Sequence, residues 1–164
     1  RKAVSKENGN KLDLITKAAK AGATAADESI LDDPDVIADH PEKAREAAAR
    51  EYMQGRPEAL LAISVEEGQS TFYDPMGGVT AGAVAVNNTN EHSAARFAPG
   101  GTTHFEILDQ GAAGGIGFWT GFQHAEVCLA DEDGKMSMTL RVTEIFRETE
   151  NGWKLIHRHA SLAR

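Results

Sequence analysis

Four segments in the second half of the chain alternate apolar and polar residues with the period of two that is typical of half-buried β-strands. They are predicted at 103–109, 115–129, 136–147 and from Trp153 onward. A shorter segment at 69–74 shows the same alternation and ends in a turn that contains proline and glycine. Tight turns such as Asn151-Gly152 separate the later strands, and strands joined in this way pair antiparallel. The pattern therefore predicts an antiparallel meander.

The first half of the chain has helical spacing instead. A helix is predicted to begin near Pro41, which suits a first helical turn, and to end before Gly55. Pro57 begins a second, shorter helix. The segment 80–97 is predicted to be helical only in pieces, because a cluster of asparagines interrupts it. Helices gathered on one side of an antiparallel sheet make an α+β domain, and a sheet of this size tends to curl, which would leave an internal pocket.

Residues 1–39 differ in composition from the rest, so we expect two regions, an extension at 1–39 and a domain at 40–164. The run 27–39 is acidic and holds few large aliphatic residues. One interpretation is a solvated arm. The other is an arm that packs on a partner subunit through its four aliphatic side chains, Ile30, Leu31, Val36 and Ile37.

Charge and composition exclude several functions. The chain has 164 residues and a net charge of −8, which argues against binding to nucleic acid or to an anionic membrane surface. It contains no apolar run of the roughly 20 residues that span a bilayer. The single cysteine, Cys128, is compatible with a reducing compartment, so a cytoplasmic location is the default expectation. The glycine-rich run 111–115 lacks the features of a phosphate-binding loop, and we expect no cofactor.

The final strand holds the main candidate site. With strict alternation, Leu155, His157, His159 and Ser161 share a face with Trp153, and that face changes from apolar to polar along the strand. Such a gradient is typical of a pocket floor. Histidine titrates near neutral pH, so both imidazoles could transfer protons or bind an anion. Alternatively, both rings are hydrogen-bonded packing residues. The two histidines lack a third ligand at suitable spacing, so no metal site is predicted.

Further candidates lie on the neighbouring strands. Arg141 and Thr143 share a face, and an arginine on a cavity wall could bind a carboxylate through two hydrogen bonds. The alternative for Arg141 is an exposed position on the sheet. Trp119 and its neighbour Phe118 point in opposite directions, so one of them lines the cavity. Tyr73-Asp74 could contribute to acid–base chemistry, although aspartate is also common in turns for local reasons.

Three motifs carry a resemblance to a known family: Arg141-x-Thr143-x-x-Phe146, Asn151-Gly152-Trp153 and His157-x-His159-x-Ser161. With the order of elements, they resemble the SnoaL-like, ketosteroid-isomerase-like branch of the nuclear-transport-factor-two-like superfamily. The last motif is especially similar to the association domain of calcium/calmodulin-dependent protein kinase. The resemblance implies a cone-shaped α+β fold in which the curved sheet wraps around the N-terminal helices. It also implies an internal pocket and a homodimer formed through the sheet.

Two functional hypotheses follow. The first is a cofactor-independent isomerase, cyclase or dehydratase that uses His157 and His159, with Tyr73, Asp74 or Arg141, for proton transfer on a carbonyl compound. The second is a non-catalytic domain for ligand binding or oligomerisation, in which Arg141, Thr143, Trp119 and Ser161 hold a small organic molecule or carboxylate.

Overall fold

The computed structural model describes residues 40–164. Both expectations for the extension at 1–39 therefore lie outside the described residues. Residues 40–164 contain three helices: α1 (Pro41–Tyr52), α2 (Glu58–Ala62) and α3 (Ala83–Ala94). The same described segment contains six strands: β1 (Thr71–Tyr73), β2 (Val79–Ala81), β3 (Thr102–Ala113), β4 (Ile116–Val127), β5 (Met136–Thr149) and β6 (Gly152–Leu162). The predicted α+β class is confirmed.

Helix α1 begins and ends as its sequence predicts. Pro41 occupies the first turn, where its missing N–H costs no hydrogen bond, and Glu42 lies at the positive end of the helix dipole. Gly55 follows the helix with a φ of +80°, and a Cβ at this position would lie 2.8 Å from the carbonyl oxygen of Phe97. Glycine is therefore required both for the backbone conformation and for the close approach of the segment after α3.

Helix α3 differs from the prediction, because it is one continuous helix rather than several pieces. One of its asparagines, Asn87, contacts another segment instead of competing for its own backbone, since its side-chain amide donates to the carbonyl oxygen of Val65 at 3.0 Å. Asn90 is buried, and its backbone carbonyl oxygen accepts a hydrogen bond from the Tyr52 hydroxyl at 3.1 Å. Tertiary contacts thus override the weak local propensity of this segment.

The six strands form one curved sheet in the order β2-β1-β6-β5-β4-β3. Strands β3 to β6 pair antiparallel in sequence, which confirms the predicted meander. Strand β1 lies alongside β6 and runs parallel to it. A bulge follows Ile107 in β3, where a Cβ on the facing Gly121 would lie 2.0 Å from the carbonyl oxygen of Glu106. Bulges of this kind bend a sheet, and they help this one to curve.

The two faces of the sheet differ in burial. The face turned toward the helices, here called the inner face, carries alternate residues of β4 and β5, including Trp119, Leu140, Val142 and Phe146. These residues form the hydrophobic core together with Leu60 of α2 and other side chains. The opposite face, here called the outer face, carries the intervening residues, which are half-buried or exposed.

Candidate functional site

The inner face and the helices enclose a cavity of about 410 Å³, within the size range of pockets that bind small molecules. Most of its wall area is apolar, although polar side chains from several helices and strands also line it. The apolar wall residues include Met53, Leu60, Val86, Phe97, Val127, Leu129, Met138, Leu140 and Leu155. The polar wall residues include Arg45, Tyr52, Asn90, Gln123 and Arg158.

A buried ion cluster lies at the cavity wall, centred on the fully buried carboxylate of Glu144. One oxygen of Glu144 accepts a hydrogen bond from Nε of Arg45 at 3.0 Å and another from the guanidinium of Arg158. The second oxygen accepts a hydrogen bond from the indole nitrogen of Trp119 at 2.8 Å. Three donors from α1, β4 and β6 thus converge on one carboxylate, which leaves Glu144 poorly suited to act as a base.

Gln123 extends this cluster and fixes the orientation of Arg158. The second terminal nitrogen of Arg158 donates to the side-chain oxygen of Gln123 at 2.6 Å. The amide nitrogen of Gln123 in turn donates to the hydroxyl of Thr103 at 3.1 Å, and that hydroxyl donates to the carbonyl oxygen of His124 at 3.0 Å. A chain of hydrogen bonds therefore holds the guanidinium at the cavity wall before any ligand arrives.

The ion cluster carries an uncompensated positive charge, because two guanidinium groups share one carboxylate. Arg45 is 4% exposed, and burial lowers its pKa from the usual value, opposed by attraction to Glu144. Arginine nevertheless stays protonated in proteins. Its Nη1 atom is buried and finds no hydrogen-bond partner among residues 40–164. A donor without an acceptor beside an apolar cavity favours an anionic ligand.

Tyr52 places a phenol at the same cavity, about two helical turns beyond Arg45 on α1. Burial raises its pKa above the usual value, so the phenol is protonated near neutral pH, and its proton is donated to the backbone carbonyl of Asn90. Its ring also packs against Phe97 with a centroid distance of 5.6 Å.

The predicted inward orientation of His157 and His159 is wrong. Ile156 is an extra residue in β6, since Ile145 pairs with His157 but the next residue, Phe146, pairs with Leu155. This bulge reverses the alternation after Leu155, so both histidines lie on the outer face. There Nδ1 of His157 lies 2.7 Å from the Thr71 hydroxyl. His157 also borders the cavity wall, but its ring packs against the outer side of β1.

Tyr73 joins the two histidines on the outer face. Its ring lies edge-on to His157 at a centroid distance of 5.1 Å and to His159 at 5.6 Å. Burial and the neighbouring His159 lower the pKa of His157, while Glu144 across the sheet opposes the shift. Three of the predicted catalytic residues, Tyr73, His157 and His159, therefore lie together, but on the opposite side of the sheet from the one expected.

The predicted ligand-binding residues also lie away from the cavity. Thr143 pairs with His159 and Arg141 pairs with Ser161, all on the outer face. Arg141 donates to the carbonyl oxygen of Leu162 at 3.3 Å and is otherwise exposed. These positions correct the prediction of an arginine on the cavity wall. Of Trp119 and Phe118, Trp119 is the one that faces inward. It is fully buried in the core, where its indole nitrogen donates a hydrogen bond to Glu144.

Asp74 lies at the cavity wall beside the turn between β1 and β2. Its carboxylate accepts a hydrogen bond from the backbone N–H of Met76 at 2.7 Å, which is the local role of an aspartate at the start of a turn. Asp74, which the sequence analysis proposed for acid–base chemistry, therefore does lie at the cavity wall.

Sequence reasoning missed the members of the ion cluster, and one signal could have found Arg45. This residue recurs at helical spacing with Ala48, Ala49 and Tyr52, so an arginine lies on the apolar face of a predicted helix. Gln123 and Glu144 likewise occupy apolar positions of their alternating strands. Buried polar residues in such positions indicate a site, because they must be paired to be tolerated.

Two general features bear on the site. Within residues 40–164, no three histidine, cysteine, aspartate or glutamate side chains are grouped closely enough to hold a metal ion. The described helices include none that is both long and apolar enough to cross a membrane.

Comparison with solved structures identifies the fold. A candidate dehydratase of the nuclear transport factor 2-like family from Streptomyces avermitilis is 21% identical, with a TM-score of 0.63 over 80% of this chain and 99% of that one. A candidate calcium/calmodulin-dependent protein kinase type II association domain from Thiobacillus denitrificans is 15% identical, with a TM-score of 0.60 over 76% and 95%. A nuclear transport factor 2-like protein from Salmonella enterica is 12% identical, with a TM-score of 0.66 over 79% and 93%.

At these identities the likeness shows the fold and does not select an activity. Comparison with curated proteins finds no match. The sequence itself places the chain more narrowly, because residues 70–164, more than half of its length, match the SnoaL-like domain. The predicted resemblance is confirmed, and the chain belongs to the SnoaL-like family.

Proposed function

We propose that this domain binds a small organic anion in the cavity between the sheet and the helices. The observation that carries the proposal is the ion cluster, in which Arg45 and Arg158 share the single carboxylate of Glu144 beside an apolar wall. A ligand carboxylate near the two guanidinium groups would restore neutrality. It would also supply an acceptor for Nη1 of Arg45.

The physical reason is the low polarity of the site. Opposite charges attract far more strongly away from water than in it, whereas an unpaired buried charge is costly. Hydrogen bonds to charged groups contribute about 1.5–3 kcal/mol. Because Gln123 already orients Arg158, little conformational freedom is lost when an anion binds.

Calorimetric titration with benzoate and benzamide tests this proposal. The two probes have nearly the same shape but differ in charge, so we expect benzoate to bind at least about tenfold more tightly. Arg158→Gln should remove most of that preference, and this variant leaves Arg45 and Glu144 as a balanced pair that preserves the fold. Arg141→Gln, which removes a charge from the outer face, is the matched control. Equal affinity for the two probes in the wild-type protein would refute anion binding.

An acid–base reaction on the bound molecule is the second candidate function. It is favoured by Asp74 and Arg158, which place a carboxylate and a guanidinium at one cavity. Asp74 would accept a proton from carbon while Arg158 stabilises the oxyanion that forms. The names of the dehydratase-like structures agree with such chemistry in those proteins.

Deuterium exchange measured by NMR tests the catalytic candidate without a known substrate. A panel of small keto acids in D₂O would be monitored for exchange of the protons beside the carbonyl group. Exchange that is catalysed by the wild-type protein and lost in Asp74→Asn supports the reaction. If the keto acids bind but none of them undergoes exchange, the catalytic candidate is wrong and the domain is a binding protein.

We also propose that the domain forms a homodimer through its outer face. Three large apolar side chains there are about 40% exposed: Tyr73 at 39%, Phe118 at 40% and Ile116 at 41%. Burying them against a second copy would remove this surface from water. The similar association and hub domains carry assembly in their names, which supports the same role for this chain.

A further inference from the structure

The methionines of the chain are concentrated at one place. The sequence contains four, and all of them line the cavity: Met53, Met76, Met136 and Met138. They come from three separate parts of the chain, namely the end of α1, the turn between β1 and β2, and the start of β5. This grouping is therefore a product of the fold rather than of local sequence.

The methionines extend from the buried wall to the entrance. Met53 is 5% exposed and packs with Val127 in the core. Met76 and Met136 are 87% and 50% exposed, so they mark the place where the cavity opens to solvent. The ion cluster occupies the buried end, since Arg45 and Glu144 are 4% and 0% exposed. The cavity thus has a charged base and a mouth at which methionines predominate, with Asp74 and the exposed Arg96 also in its wall.

Methionine suits a wall that must fit tails of different shape. Its side chain is unbranched and flexible, and its sulfur is polarisable, so it can pack around an alkyl chain or the face of an aromatic ring. A second charge on the tail would lose these apolar contacts and would have to be desolvated beside Asp74 and Arg96, two wall residues of opposite charge, so it would weaken binding. The cavity volume corresponds to roughly 14 water molecules at about 30 Å³ each, which suits a ligand of about ten to fifteen non-hydrogen atoms.

We propose that the ligand is an amphiphilic monocarboxylate that enters head first. Its carboxylate contacts Arg45 and Arg158, and its alkyl or arylalkyl tail lies along the methionines with its end between Met76 and Met136. This inference rests on the proposed anion site and names the class of ligand that the site takes.

A calorimetric series of straight-chain monocarboxylates, from butanoate to decanoate, tests the inference. Each methylene that enters the cavity should tighten binding by about fourfold, until the chain reaches solvent at the mouth. Octanedioate, which has a second carboxylate at the tail, should bind more than about tenfold more weakly than octanoate. Affinity that is independent of chain length, or equal affinity for the two eight-carbon acids, would overturn the inference.

Variants at the mouth locate the tail. Met76→Gln and Met136→Gln keep the side-chain size but add polarity, and each should weaken octanoate binding by about three- to tenfold while leaving butanoate binding unchanged. Leu108→Gln is the matched control, since Leu108 is 64% exposed in β3 and lies outside the cavity wall. An unchanged octanoate affinity in both methionine variants would contradict the assigned orientation.

The same measurements separate the two proposals. If butanoate binds and depends on Arg158 but longer acids gain nothing, the anion site stands and the inference about the tail is wrong. If the acids gain affinity with length but Arg158→Gln changes nothing, the head-first orientation and the anion site are both wrong. If no acid binds, neither proposal holds.

Discussion

The two faces of the sheet hold similar kinds of side chain in very different surroundings. The outer face carries histidines, a tyrosine, a serine and an arginine, which are residue types common in catalytic and binding sites. They lie half-buried or exposed, as His157 and Arg141 show. The inner face holds the ion cluster, and Glu144 within it is fully buried.

The comparison shows that the surroundings of a side chain determine how strongly it can act on a ligand, more than its residue type does. A charge in water is screened and interacts weakly, whereas a charge beside an apolar cavity acts strongly on a ligand. The outer residues contact one another and suit an interface between subunits. The inner residues have one charge in excess and suit a ligand. Four experiments would break or sharpen this contrast.

The largest difference should come from removing a carboxylate on each face. Glu144→Gln leaves Arg45 and Arg158 buried without a counter-charge and should lower the free energy of unfolding by about 3–5 kcal/mol. Glu106→Gln, which removes an exposed partner of His124 on the outer side, should lower it by less than about 1 kcal/mol. Urea denaturation followed by circular dichroism measures both. Similar losses in the two variants would contradict the contrast.

The indole hydrogen bond to Glu144 should give the next largest effect. Trp119→Phe keeps an aromatic ring but leaves one buried carboxylate oxygen without its donor, and we expect a loss of about 1–3 kcal/mol. Trp153→Phe is the control, because Trp153 is half-buried and the described part of the chain offers its indole nitrogen no hydrogen bond. If both substitutions lower the free energy of unfolding equally, the hydrogen bond from Trp119 to Glu144 adds nothing to the contribution of packing.

The outer face should control assembly without controlling stability within one subunit. Phe118→Lys places a charge in the proposed dimer interface and should weaken dimerisation by about tenfold or more, as measured by sedimentation or light scattering. Val84→Lys, at an exposed site on α3, is the control and should leave the mass unchanged. A monomeric wild-type protein would end the proposal of a homodimer.

The smallest effect should be a pH dependence that originates at His157. The pKa of its imidazole is lowered in the folded protein, chiefly by burial, so the unfolded chain takes up this proton more readily. Stability should therefore fall as the pH decreases below about 6.5, and His157→Gln should reduce this dependence. Urea denaturation between about pH 8 and about pH 5 measures it. His92→Gln, on the exposed side of α3, is the control and should leave the slope unaltered.

Local sequence signals were sufficient to predict much of the fold. Pro41 and Gly55 fix the ends of α1 through backbone geometry, and Asn151-Gly152 fixes a hairpin, so neither depends on distant contacts. The alternating segments form strands β3 to β6, because this conformation buries their apolar residues together on one face of the sheet. The prediction of an interrupted helix at 80–97 was wrong, since the Asn87 side chain bonds to Val65 and the backbone of Asn90 bonds to Tyr52, partners that no local pattern reveals.

The candidate site, in contrast, was decided by tertiary structure. The sequence determined which residues lie in the last strand, but only the pairing of β5 with β6 inserted the bulge at Ile156. Because side chains alternate with a period of two, one extra residue moves His157 and His159 to the opposite face and brings Arg158 to the cavity. Arg45 meets Glu144 across 99 positions of sequence, and a contact that distant depends on the assembled core rather than on any neighbouring residue.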